Sequence, residues 1–376
     1  MKRILLFGYY GFGNFGDDLI LETLAEELSQ DFQVSAVSFS NRHSRATQRL
    51  SQSGGLTLVP IKTERRRILS KFNVLYQAAQ LINAGRRHDA IVFGGGTQIF
   101  ETRATGFLPL LEMAIFVTAL RLFYGKLIGH LFVGINMPKT RAGAFLLRQI
   151  LKMSDFVVLR DRRSFEVCEA YGSPKQRLVL AADAAYLRRK YPKKASQQDP
   201  VVRIGISLFP YFEVVAKEPN KDRDYLELCR QAICNICAQT SARARIVFLG
   251  CQSGTALNDL EYAKRIACEF KGYEIEYADY DLDTKAHIAL LGEIDVLVGM
   301  RLHILIAAIL SGVPRVFALP YQDKVLEEAH ALGIKILSTG QDIETRECVL
   351  SEEIAARKTV NEAVLKRLKL LMTRSL

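Results

Sequence analysis

Short apolar runs alternate with helical segments along most of the sequence, and this alternation limits the fold more than any other feature. Runs such as 3–8 and 89–93 are mostly apolar and end at glycine or just before it, which is typical of parallel strands buried on both faces. A loop and a segment of helical periodicity follow each run. The pattern predicts parallel sheets covered by helices, which is a doubly wound α/β fold.

The alternation is interrupted once, so the sequence predicts two domains. Residues 187–200 are charged and polar and contain two prolines, which is typical of a linker. We therefore expect two doubly wound, Rossmann-like domains facing across a cleft, one over 1–186 and one over 201–350. A final amphipathic helix, assigned to 351–376, could pack back on the N-terminal domain.

The most apolar region, 107–133, carries too many charges for a membrane span, which needs about 20 predominantly apolar residues. We predict two buried or interfacial helical segments there. A peripheral membrane contact stays open, because basic residues lie in and after this region: Arg121, Lys126, Arg141 and Arg148.

The sequence predicts a cytoplasmic protein, with the inner face of the membrane as an option. The first residues lack a signal-peptide pattern, and the seven scattered cysteines do not form a disulfide framework. Cys229, Cys234 and Cys237 fall in a helical pattern. We interpret them as buried helix residues, and we expect no metal site.

The charge balance favours an anionic partner. Lys and Arg number 51 and Asp and Glu 40, which leaves a net charge of +11. Phosphorylated metabolites, a membrane surface or nucleic acid would suit this charge. We do not expect nucleic-acid binding, because the basic residues are dispersed and no recognition module is visible.

Four loops share one design, in which a buried strand leads through polar or glycine residues into a helix. In the last, Arg301 and His303 follow the apolar run 296–299 and precede an apolar helix. Ligands bind at the carboxyl ends of strands in open α/β sheets, and a helix N-terminus favours an anion. These two residues therefore predict an anion site.

The first loop, 8–18, contains the dinucleotide pattern G-x-G-x-x-G over residues 11–16. The pattern is weakened because acids open the following helix and no acid ends the second strand. We expect Asn14 and Asp17 to hydrogen-bond hydroxyl groups, as of a sugar. The alternative is that Asp17 only caps the helix.

The other two loops present backbone and charge. Gly95 and Gly96 would let a ligand approach backbone amides closely. Arg160 stands at a strand end and is followed by Asp161, so a surface Arg–Asp pair is the alternative to a binding role.

Taken together, these loops resemble the polysaccharide pyruvyl transferase family. The similarity rests on blocks in order along most of the chain: GYYGFGNFGDDLIL at 8–21, FGGGTQIFE at 93–101, LRDRRSFEV at 159–167, AADAAY at 181–186, VGMRLHILIAAILSGVP at 298–314 and YQDKV at 321–325. The resemblance implies a glycosyltransferase B-like architecture. It also implies transfer of the enolpyruvyl unit of phosphoenolpyruvate to a sugar hydroxyl, giving a pyruvate ketal without a further cofactor or metal.

The resemblance also implies roles for individual residues. On the donor side, His303 and Arg301 would bind phosphoenolpyruvate and stabilise the transition state, Arg160 would serve donor binding or proton delivery, and Lys324 would contact phosphate. On the acceptor side, the N-terminal domain would face a sugar, glycan or lipid-linked sugar with Asn14, Asp17, Gly95, Gly96 and Glu101.

Two segments depart from the family pattern. Residues 134–138 lack its glycine-rich GxGxGP sequence, and residues 208–212 lack its arginine. Two other functions therefore stay open: a nucleotide-sugar-dependent glycosyltransferase, and a non-catalytic protein that binds sugar or phosphate groups.

Overall fold

The computed structural model describes residues 1–40, 42–62, 70–101, 106–188, 201–240, 243–252, 258–338 and 351–375. Of the predicted linker, residues 189–200 lie outside these ranges. The chain forms two compact units. The first contains Met1–Phe12, Asp17–Arg188 and Ala356–Leu376, and the second contains Gly13–Gly16 and Arg189–Ala355.

The first unit is built on a parallel sheet whose strand order is β3-β2-β1-β4-β6-β7-β8, with β5 beside β6. The strands are β1 (Arg3–Phe7), β2 (Gln33–Ser38), β3 (Thr57–Pro60), β4 (Ala90–Gly94), β5 (Thr97–Ile99), β6 (Leu127–Ile135), β7 (Phe156–Leu159) and β8 (Leu178–Leu180). The chain moves outward from β1 to β2 and β3, then returns to pair β4 with the other side of β1. The carboxyl ends of β1 and β4 therefore flank the point where the strand order reverses.

Helices cover both faces of this sheet. They are α1 (Phe15–Leu28), α2 (Arg45–Gln52), α3 (Ser70–Gly85), α4 (Leu108–Tyr124), α5 (Arg141–Met153), α6 (Arg162–Ala170) and the C-terminal α12 (Ser351–Ser375). On one face Leu5 and Phe93 pack with Phe116 of α4. On the other, Leu6 packs with Leu24 of α1 in a core that also includes residues of α12. Burial on both faces explains why these strands are apolar throughout.

The second unit has a parallel sheet of order β11-β10-β9-β12-β13-β14. Its strands are β9 (Val201–Ser207), β10 (Arg243–Leu249), β11 (Glu274–Ala278), β12 (Val296–Gly299), β13 (Arg315–Ala318) and β14 (Lys335–Ile336). Its helices are α7 (Pro219–Thr240), α8 (Asp259–Ile266), α9 (Thr284–Leu291), α10 (Leu302–Leu310) and α11 (Asp323–Ala331). Here the order reverses between β9 and β12, which pair directly. The predicted doubly wound α/β class is confirmed in both sheets.

The prediction of two helical segments over 107–133 is wrong for the second one. The region forms α4 and then β6, whose nine residues are all buried. An apolar run without periodicity does not distinguish a buried strand from a buried helix. Within the described ranges, no helix is both long and apolar enough to cross a membrane.

The three cysteines of α7 differ in exposure because they face different directions around the helix. Cys229 is buried as expected, Cys237 is half-buried, and Cys234 is exposed. The interpretation of all three as buried residues is therefore wrong for Cys234.

Candidate active site

The glycine loop after β4 lies at the reversal point of the first sheet. Gly95 and Gly96 have φ of 61° and 66°, in the region that glycine adopts without strain. A Cβ on Gly95 would lie 2.2 Å from Cγ2 of Ile20, so α1 packs directly on this turn. A Cβ on Gly96 would lie 3.6 Å from Oδ1 of Asp17. The loop thus places backbone beside the Asp17 carboxylate in the first turn of α1.

Arg160 fixes the far side of the same loop. Its guanidinium donates to Oδ2 of Asp183 at 2.9 Å and to Oγ1 of Thr97 at 3.1 Å. The side chain is 4% exposed, and its Nε lies 3.6 Å from Oδ2 of Asp161. Arg160 therefore does pair with Asp161, but its guanidinium is buried and its shorter ion pair is with the buried Asp183. Gly134 leaves room for the guanidinium, which a Cβ there would approach to 3.0 Å.

Glu101 is engaged by the loop that leads into α5. Its carboxylate accepts from the backbone N–H of Lys139 at 2.7 Å and from Oγ1 of Thr140 at 2.6 Å. Thr140 in turn caps α5 by accepting from Gly143 N. Glu101 therefore anchors the two residues that directly follow the segment 134–138, where the sequence departs from the family pattern.

Asn14 lies in the second unit, whereas the sequence predicted it on the N-terminal domain with Asp17. Its Oδ1 accepts from the N–H of Gly16 at 3.0 Å, so Asn14 caps α1. Its Nδ2 lies 3.4 Å from Oε1 of Gln252, and Phe15 donates its N–H to the carbonyl of Cys251 at 2.8 Å. These contacts bind the Gly13–Gly16 segment to the loop after β10.

Arg301 is held in a buried ion pair that the sequence did not predict. Its Nε and Nη2 donate to the two carboxylate oxygens of Asp259 at 2.8 and 2.5 Å. Its guanidinium lies over the Phe209 ring, 4.0 Å from the centroid. Burial alone would lower the pKa of Arg301, but the adjacent Asp259 carboxylate raises it above its ordinary value. The guanidinium is therefore a fixed, permanent positive charge.

His303 occupies the first turn of α10, directly against Gly16. A Cβ on Gly16 would lie 2.2 Å from Nδ1 of His303, so only glycine leaves room for the ring there. No side chain caps α10 at Arg301, and β12 ends at the reversal point of the second sheet. The N-terminal turn of α10 thus combines the side chains of Arg301 and His303 with the positive end of the helix dipole.

Lys324 lies at the same edge of the second sheet, after the next strand. It is the second residue of α11 and is half-buried. Before it, Tyr321 packs on Phe209 and Tyr211, with ring centroids 4.9 and 4.6 Å apart. The segment 208–212, which lacks the family's arginine, therefore supplies the Phe209 ring under Arg301.

The sequence did not predict that three further residues contribute to the site. Asp259 and Phe209 lie 42 and 92 positions before Arg301, and neither stands in a recognisable motif. Gly16 was visible as the third glycine of 11–16, but its steric role needs the position of His303. Among the described residues, no group of three or more His, Cys, Asp or Glu side chains is arranged to hold a metal ion.

A second histidine contacts the Gly13–Gly16 segment and leads to a prediction of how stability depends on pH. His287 packs on Phe15 at 4.9 Å between ring centroids, and its Nε2 is buried without a hydrogen-bond partner. Burial lowers the pKa of His287 to about 4 from 6.5. Below pH 6.5 the unfolded chain takes up a proton that the folded chain refuses until about pH 4, so stability falls as pH falls through this window.

We expect His287 to account for about 3 kcal/mol of that loss. Urea unfolding of wild type and His287→Gln between pH 7 and pH 4 measures it. The variant should lose less stability across the window. His330→Gln, at an exposed position of α11, should behave as wild type. Parallel pH profiles for wild type and His287→Gln would contradict the assignment.

Comparison with known proteins identifies the family and the fold. The family model of polysaccharide pyruvyl transferases matches residues 14–323. No curated protein matches the sequence. Among solved structures, HepE of Anabaena in complex with UDP-glucose is similar at 12% identity and a TM-score of 0.57. The match covers 100% of this chain and 98% of the HepE chain.

Two further structures show the same fold. A UDP-N-acetylglucosamine 2-epimerase from Listeria monocytogenes covers 97% of this chain and 91% of its own, at 12% identity and a TM-score of 0.57. The match to MurG of Acinetobacter baumannii covers 97% of this chain and 98% of the MurG chain, at 12% identity and a TM-score of 0.52. The fold is glycosyltransferase B-like. Because the family match spans most of its length and includes the Arg301–His303 turn, this chain belongs to the polysaccharide pyruvyl transferase family.

Proposed function

We propose that the chain transfers the enolpyruvyl unit of phosphoenolpyruvate to hydroxyl groups of a sugar in a polysaccharide or its precursor, forming a pyruvate ketal. The family match over residues 14–323 carries this proposal. The acceptor would be a free sugar, a glycan or a lipid-linked sugar. Phosphoenolpyruvate is the donor substrate, and no further cofactor is part of the proposal.

The donor would bind at the N-terminal turn of α10. Phosphoenolpyruvate carries a carboxylate and a phosphate, which suit arginine and a helix N-terminus. Asp259 uses the N–H groups of Nε and Nη2 of Arg301, while a guanidinium has five N–H donors in all. Arg301 would therefore orient the donor with Nη1, and Lys324 would contact the phosphate.

The reaction needs a proton at the methylene carbon and charge stabilisation at the central carbon. One sugar hydroxyl adds to the central carbon of the enol phosphate, and the methylene carbon takes up a proton and becomes a methyl group. The bond to phosphate then breaks, and a second hydroxyl of the same sugar takes its place, giving the ketal and inorganic phosphate. We assign His303 to proton transfer and stabilisation of the departing phosphate.

Arg160 would support this chemistry by position. A guanidinium is a poor acid, and its contacts to Asp183 and Thr97 hold the glycine loop. We therefore assign Arg160 to shaping the loop at Gly95 and Gly96, with Asp17 beside it to receive acceptor hydroxyls. We assign Asn14 and Glu101 to contacts with the acceptor as well.

Phosphate release tests the proposal. Wild type should release phosphate from phosphoenolpyruvate when mixed with a panel of aryl glycosides and lipid-linked saccharides, and only when an accepted sugar is present. A pyruvate ketal should appear in the product by mass spectrometry. Phosphate release without any acceptor, or a ketal-free product, would overturn the proposed reaction.

A nucleotide-sugar-dependent glycosyltransferase is the second candidate, because similar structures such as HepE were solved with UDP-glucose. A thermal-shift comparison separates the two. We expect saturable stabilisation by phosphoenolpyruvate and none by UDP-glucose or UDP-N-acetylglucosamine. The reverse result would favour the glycosyltransferase. Stabilisation by phosphoenolpyruvate without turnover on any acceptor would favour a non-catalytic binding protein.

A further inference from the structure

The C-terminal end of α4 exposes three consecutive large apolar side chains. Leu122, Phe123 and Tyr124 are 63%, 80% and 43% exposed. Single exposed apolar residues are common on protein surfaces, but an adjacent group of this size marks an interaction site more often. We call residues 122–124 the α4 tip.

The tip lies at the amino-terminal edge of the first sheet. Gly125 ends α4 in a left-handed conformation, and β6 begins two residues later. Leu127 donates its N–H to the carbonyl of Asp89, at the start of β4. The glycine loop and Arg160 follow the carboxyl ends of their strands, so the tip lies at the opposite edge of this sheet from them.

Several basic side chains lie at the same edge of the sheet as the tip. Gly85 at the end of α3 packs on Leu120, whose Cδ1 would lie 2.4 Å from an added Cβ. Leu120 lies two residues before the tip, and the exposed Arg86 and Arg87 directly follow Gly85. Further cations at this edge are Arg3, Arg121 and Lys126. Two acids lie among them: Asp89, which accepts from the backbone of Arg3, and Asp155, which pairs with Arg121. We call these five basic residues the basic collar. They outnumber the two acids, so this edge of the sheet carries an excess of positive charge.

We propose that the α4 tip docks the protein on an anionic lipid surface. Aromatic and aliphatic side chains insert at the boundary between headgroups and acyl chains, and flanking Lys and Arg attract anionic lipids. The collar also disfavours a second copy at this surface. Two-fold pairing would bring the same positive charges together.

Docking by the tip would place the glycine loop and Arg160 away from the membrane, because they lie at the other edge of the sheet. This placement suits an acceptor whose sugar extends from the membrane. The docking proposal itself does not depend on the reaction, since lipid binding is measured without substrate.

Vesicle flotation with the full chain tests the proposal. Wild type should float with vesicles of phosphatidylcholine and phosphatidylglycerol, and much less with phosphatidylcholine alone. Leu122→Ser/Phe123→Ser should lower the apparent partition coefficient about tenfold or more. Arg86→Ser/Arg87→Ser should lower it about tenfold at low salt and weaken its salt dependence.

Phe145→Ser is the matched control, because Phe145 on α5 is 59% exposed and stands outside the tip. It should float as wild type does. Absence of wild-type flotation, or equal loss in the Phe145 variant, would overturn the proposal. Sedimentation equilibrium adds a further check. A dimer that the tip variant abolishes would assign the surface to a second copy and overturn lipid docking.

Discussion

Replacing His303 with alanine is expected to lower turnover about a thousandfold and to leave the fold intact. The expected size follows from the loss of one group that both moves a proton and stabilises charge in the transition state. His303 is only half-buried and lies in the first turn of α10, so truncation should cost little stability. Phosphate release with an accepted sugar measures turnover, and circular dichroism and the melting temperature measure folding.

Two further variants make this result specific. His330→Ala, at an exposed position of α11 in the same unit, should retain wild-type turnover. Gly16→Ala keeps the imidazole but forces it from its place, because the new methyl group would lie 2.2 Å from Nδ1. It should lower turnover severalfold or more. Wild-type turnover in His303→Ala would remove this residue from the mechanism.

Asp259→Asn is expected to destabilise the second unit by about 3–5 kcal/mol. Asp259 and Arg301 have side chains only 1% and 13% exposed, so the substitution leaves a buried guanidinium without its counter-charge. Urea unfolding of the full chain, followed by circular dichroism, measures the change. The variant should also lose phosphoenolpyruvate-induced stabilisation, since Arg301 would no longer be held over Phe209.

A control on the same helix separates burial from charge. Glu261→Gln breaks an ion pair with Lys264 in which both side chains are more than half exposed. It should cost less than about 1 kcal/mol. The double variant Asp259→Asn/Arg301→Met should be more stable than Asp259→Asn alone, because no buried charge is left unpaired. Equal losses in Glu261→Gln and Asp259→Asn would contradict the role of burial.

Much of the fold follows from periodicity and local signals. The runs at β1 and β12 are apolar and end at glycine or just before it, and the structure has strands at both. Residues 57–60 and 97–99 carry no clear strand signal, because each segment is short and becomes a strand by pairing with another one, β3 with β2 and β5 with β6. Their pairing partners decide their conformation, and a local pattern does not contain them.

The site was predictable only in part, for a similar reason. Arg301 and His303 stand out because a strand end and a helix start enclose them. Their contacts to Asp259 and Gly16 depend on how distant segments pack. Asn14 belongs to the second unit because of backbone hydrogen bonds, which have no recognisable sequence pattern. The roles of the individual site residues stay predictions for the experiments above.

The C-terminal helix lies outside the family match, yet most of it belongs to the first compact unit. Asn361 of α12 accepts from the N–H of Ala182 and donates to the carbonyl of Asp183, each at 2.9 Å, and Asp183 holds Arg160. Leu365, Leu368 and Met372 complete one face of the first core. The family match ends at residue 323 and begins after β1. A chain trimmed to the matched region would therefore lose a central strand and the α12 contacts behind Arg160, although the recognised blocks at 93–101, 159–167, 181–186 and 298–314 would be retained.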